Sequence, residues 1–449
     1  MDVAPPPRYR RFSTRPGQVP QSGNELPIYT RRNTLAQPVI QREPTEHVYL
    51  LTEKNRAWVT LKIQSSAKSS KSLPTFFEKE NINGSLEINA DKGDSIHSIT
   101  ATVTGRIITG SGADDIFTFL SQSLPIWSKS ADVPRLPSSS VGTSQSKLLG
   151  HCVWPLSIPI PKTVVAPSGT GDMQPFRLPE TFLERHTSAS VQYDFTIVIS
   201  RGKLRSDSQI KTAFGYVPSS RPEPPSMLRQ LAYQQNTPLP SPHHDPQGWK
   251  TLRPVSARGI LYKSHQVEVQ CTLSLPKPLC YTRGSVIPCF LTIDGQNSDT
   301  LDLFSTPSAI VVALHRRVRF FSKTSLARQE VSWNETIEEM GTAVWWPCMS
   351  LSSSAHSRHF EGEVKLPKDL RPTSAMGHFS ISYSLVLRPF NVVHLVSDSR
   401  SLLSEPVEIA TMHSKGPRPQ AYAPPAYDTT PAIRPHDRYV ALSAGAQGW

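Results

Sequence analysis

From residue 47 onward, short stretches of the chain switch between apolar and polar at every position, the two-residue period of strands with one buried face. In "AWVTLKI" the inward set is Ala57, Val59, Leu61 and Ile63. In "HSITATVTGRI" it is Ile99, Ala101, Val103, Gly105 and Ile107, which leaves Thr100, Thr102, Thr104 and Arg106 to water. "VQYDFTIVI" places Val191, Tyr193, Phe195, Ile197 and Ile199 inside and Gln192, Asp194 and Thr196 outside. The texture returns in "QVEVQCTLSL", with Val267, Val269, Cys271, Leu273 and Leu275 inward, and in "FSISYSLVL", with Phe379, Ile381, Tyr383, Leu385 and Leu387 inward. Such strands belong to antiparallel sheets wetted on one side. Helical periodicity is nearly absent. "SMLRQLAYQQ", with Ser226 as N-cap, predicts one helix of about two and a half turns.

The alternating stretches fall into two groups that resemble each other. Residues 178–199, "LPETFLERHTSASVQYDFTIVI", and residues 366–387, "LPKDLRPTSAMGHFSISYSLVL", each run from Leu-Pro through a loop into an alternating strand carrying Tyr193 or Tyr383. Two tandem β-sandwiches of about 160 residues each follow from this self-similarity. The expected division is a β-sandwich over 47–216, interrupted by a long loop at about 128–147, and a second over 257–412. Between them, residues 217–256 read as a Pro-rich linker that packs through Leu228, Leu231, Tyr233 and Trp249. Residues 1–46 and 413–449 read as disordered tails. The fold class is therefore all-β, with two tandem immunoglobulin-like sandwiches between disordered ends.

Composition agrees with this division. Pro 42 against Gly 23, with only 37% hydrophobic residues, means that part of the chain cannot bury enough surface to fold. The net charge of +12 is spread thinly: seven Arg face four acids in residues 1–46, and four basic residues face two acids in 413–449. The densest basic run, "HRRVR" (His315–Arg319), lies in a strand-like stretch and reads as a solvated sheet face. No apolar run is long enough for a membrane span or a secretory leader, so a cytoplasmic location is expected. The five cysteines lack zinc or disulfide spacing and read as reduced, mostly buried thiols.

Local catalytic motifs are missing: there is no phosphate-cradling glycine loop, no nucleophile elbow and no metal-spaced His and acid set. "PHHDP", with His243, His244 and Asp245, reads as a polar turn in the linker, since adjacent histidines seldom converge on one ion. No enzyme activity and no cofactor are expected. Aromatic residues fall mostly on the inward phase of the strands, so nucleic acid is not an expected partner.

What remains is a repeated short pattern at the two ends, Pro6-Pro7-Arg8-Tyr9 and Pro424-Pro425-Ala426-Tyr427. From this composition about 0.1 such PPxY match arises by chance, so two copies are unlikely to be accidental. In a polyproline II helix, with three residues per turn, the first proline and the tyrosine share a face and the residue between is free to vary. "LPIY", Leu26–Tyr29, is a weaker variant. Thr430, Thr237 and Ser241 each precede a proline and are candidate phosphorylation sites.

Several stretches carry a family resemblance. "SLPKPLCYTRGSVIPCFLTI" (274–293) followed by "LDLFSTPSAIVVALHRRVRF" (301–320) is similar to the second domain of fungal arrestin-like proteins, and "GSLEINADKGDSIHSITATVTGRI" (84–107) to the corresponding part of the first. With PPxY motifs outside residues 47–412, the chain resembles the alpha-arrestin branch of that family. The resemblance implies arrestin-type sandwiches that bind plasma-membrane transporters or receptors. It also implies recruitment of a WW-domain HECT-type ubiquitin ligase, so that cargo is ubiquitinated and internalised. The WW contacts would be Pro424, Pro425 and Tyr427, with Pro6, Pro7 and Tyr9 as a second set, and the protein would sit peripherally at the plasma membrane or endosomes, with anionic lipid as a further contact. Two tails of about 40 residues, spreading roughly 35 Å as coils, are long enough to reach neighbouring WW modules. Two features depart from the pattern. "LDLF" at Leu301 lacks a following acid and falls in a predicted strand, so it is not a clathrin-binding box. The buried charged cluster of the visual and beta-arrestins is not legible either. Alternatives are an arrestin-like signalling scaffold, as in ambient-pH sensing, and a basic β-sandwich binder of nucleic acid or anionic lipid. A β-sandwich hydrolase is the reading with least support.

Overall fold

The computed structural model describes residues 43–427 apart from 54, 91–95, 130–147, 149, 169–170, 203–205, 324–330, 350, 352–353 and 398. Four strands, Thr45–Glu53, Arg56–Ser65, Asn81–Ala90 and Gly150–Pro159, pair in that order as one antiparallel sheet. A second sheet runs Thr75–Phe77, Ser208–Val217, Ser190–Arg201, Ile96–Ile108, Ile116–Ser128. Its centre is the long antiparallel pair that sets Phe195 opposite Val103 and Ile197 opposite Ala101. The period-two pattern dictates what comes next. Val59, Leu61 and Ile63 from the first sheet and Ile99, Ala101, Val103, Ile107, Val191 and Phe195 from the second are buried in a common core. Burying each Val, Leu, Ile or Phe side chain of this set stabilises the fold by about 1.5–3 kcal/mol.

The later strands form a twelve-stranded sheet that curls on itself. The hinge of the curl is Val331–Pro347, 17 residues long, whose early part pairs with Val312–Lys323 while Ala343–Pro347 pair with Ser357–Lys365. One strand thus serves both layers. Val269, Cys271, Leu273, Leu291 and Ile293 of one layer and Val312, Leu314, Ile381 and Leu385 of the other are buried together. A Cβ on Gly362 would lie 2.5 Å from the ring of Trp345, its register partner, so a side chain there would force the buried indole to move. The result is an all-β sandwich fold. Most of its buried apolar residues join into one cluster from Val59 to Ile409, with Phe182 of the earlier strands against Phe379 of the later ones at 5.1 Å, while Trp249, Phe290 and Cys348 form a smaller one.

The self-similarity has a physical counterpart. The Tyr193 hydroxyl donates to the Pro179 carbonyl at 2.7 Å, and the Tyr383 hydroxyl donates to the Arg371 carbonyl at 2.6 Å. In each copy a strand tyrosine pins backbone at or just after Leu-Pro, in the manner of the tyrosine corners of immunoglobulin-like sandwiches.

Several expectations need correction. Asp194 does not face water: it is buried, held by Arg106 and by Lys211 at 3.4 Å. Arg316 of the basic run is 1% exposed, while its neighbours Arg317 and Arg319 are exposed and share Glu335. "LDLF" is helical, not a strand, because Asn297 caps Ser298–Phe304 by accepting from the backbone of Asp299 and Thr300, and Leu301 and Phe304 bury one face of that short helix. The loop read at 128–147 lies almost wholly outside the described residues.

Five histidines, His47, His315, His359, His378 and His413, have their pKa pushed below the ordinary 6.5, in each case chiefly by burial. A lowered pKa means that the unfolded chain takes up the proton first, so stability is fully present above about pH 6.5 and is lost as pH falls below it. The melting temperature is therefore expected to be lower at about pH 5.5 than at about pH 7.5. A flat profile over that window would contradict this reading.

Candidate functional site

The PPAY motif is reached by way of the linker. Helix α1, Met227–Gln235, forms where the sequence predicts it: the Ser226 hydroxyl accepts from the Arg229 N–H at 3.3 Å, and Asn236 closes the far end in the left-handed region. Ser226 also donates to Asp245, which accepts from the Gly248 N–H at 3.0 Å and so ties the helix start to the turn at His243–Asp245. The expected packing face is only half right. Tyr233 and Trp249 are buried, but Leu228 is 49% exposed and Leu231 is also exposed. The buried face is instead Arg229, Ala232 and Tyr233. Arg229 reaches two backbone carbonyls, Lys277 at 3.0 Å and Gly248 at 2.7 Å, with its guanidinium 4.8 Å from the Trp249 ring centre. Burial lowers its pKa, but an arginine stays charged throughout the physiological range.

Onto this helix comes the chain that leads to the motif. The segment read as a tail from residue 413 is placed against the body as far as Tyr422. Thr411 and Met412 bond Ser220, Met412 through its N–H at 2.9 Å. Further on, Gln420 Nε2 donates to the Tyr233 carbonyl at 2.8 Å, and the Tyr422 N–H donates to Glu363 Oε2 at 2.8 Å. The Tyr233 and Tyr422 rings stack, 6.4 Å apart and 24° from parallel. Burial pushes the Tyr233 phenol up to about 12, so it stays protonated. Glu363, on the strand Ser357–Lys365, is 1% exposed.

Beyond Tyr422 the motif turns outward. The Tyr427 N–H donates to the Pro424 carbonyl at 2.9 Å, a β-turn with Pro425 at its second position, where the fixed φ of proline is favoured. The polyproline II conformation read from sequence is thus not the one this segment adopts. Pro425 and Ala426 are exposed, and Tyr427 is 38% exposed. Pro6, Pro7 and Tyr9, and Thr430, lie outside the described residues. Of the remaining phosphorylation candidates, Thr237 is exposed, whereas Ser241 is 4% exposed and its hydroxyl bonds His244 Nδ1 at 2.8 Å. A phosphoryl group has no room at Ser241 in the folded chain.

A charged cluster that the sequence did not reveal lies between the earlier and later strands. Arg316 grips Glu184 through both oxygens at 2.8 and 2.5 Å and also holds Glu338 at 2.7 Å. Beside it, Arg283 and Arg371 share Glu180 at 3.0 and 2.8 Å. Glu180 and Glu184 come from the first Leu-Pro loop and Arg371 from the second, so the two repeated loops meet here. Burial by itself lowers the Arg316 pKa, and hydrogen bonding and charge from Glu184 outweigh it, leaving the guanidinium above its ordinary value.

A hollow of about 350 Å³ is lined by Leu279, Cys280, Pro406, Val407 and Glu408. Burial pushes the Cys280 thiol up to about 12, so it is protonated and a poor nucleophile at neutral pH. Among the described residues, no three His, Cys, Asp or Glu are grouped so as to hold a metal ion, and no helix is long and apolar enough to cross a membrane. No protein-family model and no curated protein matches the chain.

Proposed function

We propose that this protein is a non-catalytic trafficking adaptor: its two β-sandwich regions, 47–216 and 257–412, select a membrane transporter or receptor, and its PPxY motifs recruit a WW-domain HECT-type ubiquitin ligase. This is the activity implied by its resemblance to the alpha-arrestins. The observation that carries the proposal is the position of Pro424–Tyr427: an aromatic-proline turn whose Pro425, Ala426 and Tyr427 are exposed, at the end of a folded all-β body, with a second copy of the same pattern near residue 6. A WW groove takes proline-rich segments because they are rigid beforehand and lose little entropy on binding, and the tyrosine adds a pocket for register. The body supplies what a short motif lacks, an extended surface for cargo.

The reading is tested by titrating a tandem-WW fragment into the full chain and into its Tyr427→Ala variant. A weakening of about tenfold or more is expected from losing the buried aromatic anchor. Equal affinity would contradict the reading.

A further inference from the structure

We propose that residues 411–422 are an intramolecular strap that keeps the PPAY turn on the body, and that the strap must detach before a WW domain takes the motif. The proposal rests on the WW reading above and adds its regulation. The strap is pinned at both ends. At its start, Thr411 Oγ1 donates to the Pro218 carbonyl at 2.7 Å and Thr282 Oγ1 donates to the Met412 carbonyl at 3.0 Å. At its far end, Gln420 and Tyr422 hold α1 and Glu363. Glu363 is buried, so the Tyr422 N–H finds its partner away from water, where losing that partner would leave polar groups unpaired. Between the two anchors, Pro417 and Pro419 restrict the chain, so docking it costs less entropy.

The last anchor, Tyr422, is two residues before Pro424. Pro424 is itself half-buried, and its carbonyl is engaged by the Tyr427 N–H. A WW groove needs the prolines in the polyproline II form with their flank clear of other protein. The docked segment meets neither requirement. When only a fraction of molecules is competent to bind, apparent affinity falls by that fraction. A strap closed about nine-tenths of the time weakens WW binding about tenfold.

The test uses the full chain with Tyr9→Ala, which silences the N-terminal motif, and adds Gln420→Ala with Tyr422→Pro, which removes both the Tyr422 ring and the N–H that Glu363 accepts, to release the strap. Peptides of residues 417–433, with and without the same two substitutions, report the affinity of the unrestrained motif. Both peptides are expected to bind a tandem-WW fragment about tenfold tighter than the Tyr9→Ala chain. The released chain is expected to match the peptides. Hydrogen exchange between residues 412 and 427 is expected to accelerate in the released chain. Equal WW affinity before and after release, or unchanged exchange, overturns the strap. Peptides that do not bind overturn the WW reading and the gating with it, and the exchange rates then tell that failure apart from absence of the strap.

Discussion

Replacing Arg316 by alanine is expected to destabilise the fold by about 3–5 kcal/mol, because it strands a buried carboxylate. Glu184 is 6% exposed and takes two hydrogen bonds from this one side chain. Removing the cation leaves that charge in a medium that solvates it poorly. Arg371 Nε, 3.9 Å from Glu184, offsets part of the loss and favours the lower end of the range. Adding Glu184→Gln to Arg316→Ala removes the stranded charge and is expected to recover part of the stability. Denaturant midpoints of the two variants test this, and a loss below about 1 kcal/mol for Arg316→Ala would mean that water reaches the cluster. The partners come from segments 132 residues apart in sequence, so the cluster also couples the earlier strands to the later ones.

The second large effect concerns the two motifs together. If Pro424–Tyr427 and Pro6–Tyr9 engage one ligase, Tyr9→Ala and Tyr427→Ala each turn a two-point contact into a one-point contact, and the double variant abolishes it. Avidity of this kind is worth about 10²–10⁴ in affinity when geometry allows both contacts at once. Titrations with a single WW domain and with a tandem fragment separate the contributions. The single domain is expected to lose up to about tenfold when only Tyr9 is replaced, because the strap holds the remaining motif closed, whereas the tandem fragment loses the larger avidity term. Identical losses for both fragments would mean that the motifs act independently.

What the sequence could reveal was whatever depends on neighbours. The inward sets around Ile99, Phe195 and Ile381, and that around Leu273 apart from the half-buried Val267, are buried as the period requires, and α1 starts at the N-cap its sequence supplies. Most of the failures share one physical cause, a polar side chain whose partner is distant in sequence; the "LDLF" helix, decided by a local cap, is the exception. Asp194 sits on the polar phase of its strand but is buried because Arg106 faces it from 88 residues away. Arg229 occupies the buried face of α1 because it reaches the carbonyls of Lys277 and Gly248, leaving the more apolar Leu228 and Leu231 outside. "LDLF" alternates as a strand does, yet Leu301 and Phe304 are also three apart, and the Asn297 cap decides for the helix. The PPAY motif itself was legible as a linear pattern. Its docking was not, because Gln420 and Tyr422 find Tyr233 and Glu363 across 187 and 59 residues.

An adaptor must hold two partners through separable surfaces, and this can be measured directly. Proximity labelling from the full chain in cells is expected to mark a WW-domain HECT-type ligase together with membrane transporters or receptors. With Tyr9→Ala and Tyr427→Ala combined, the ligase is expected to disappear from the labelled set while the membrane proteins remain. A labelled set that keeps the ligase without either tyrosine, or that never contains a membrane protein, would contradict the adaptor.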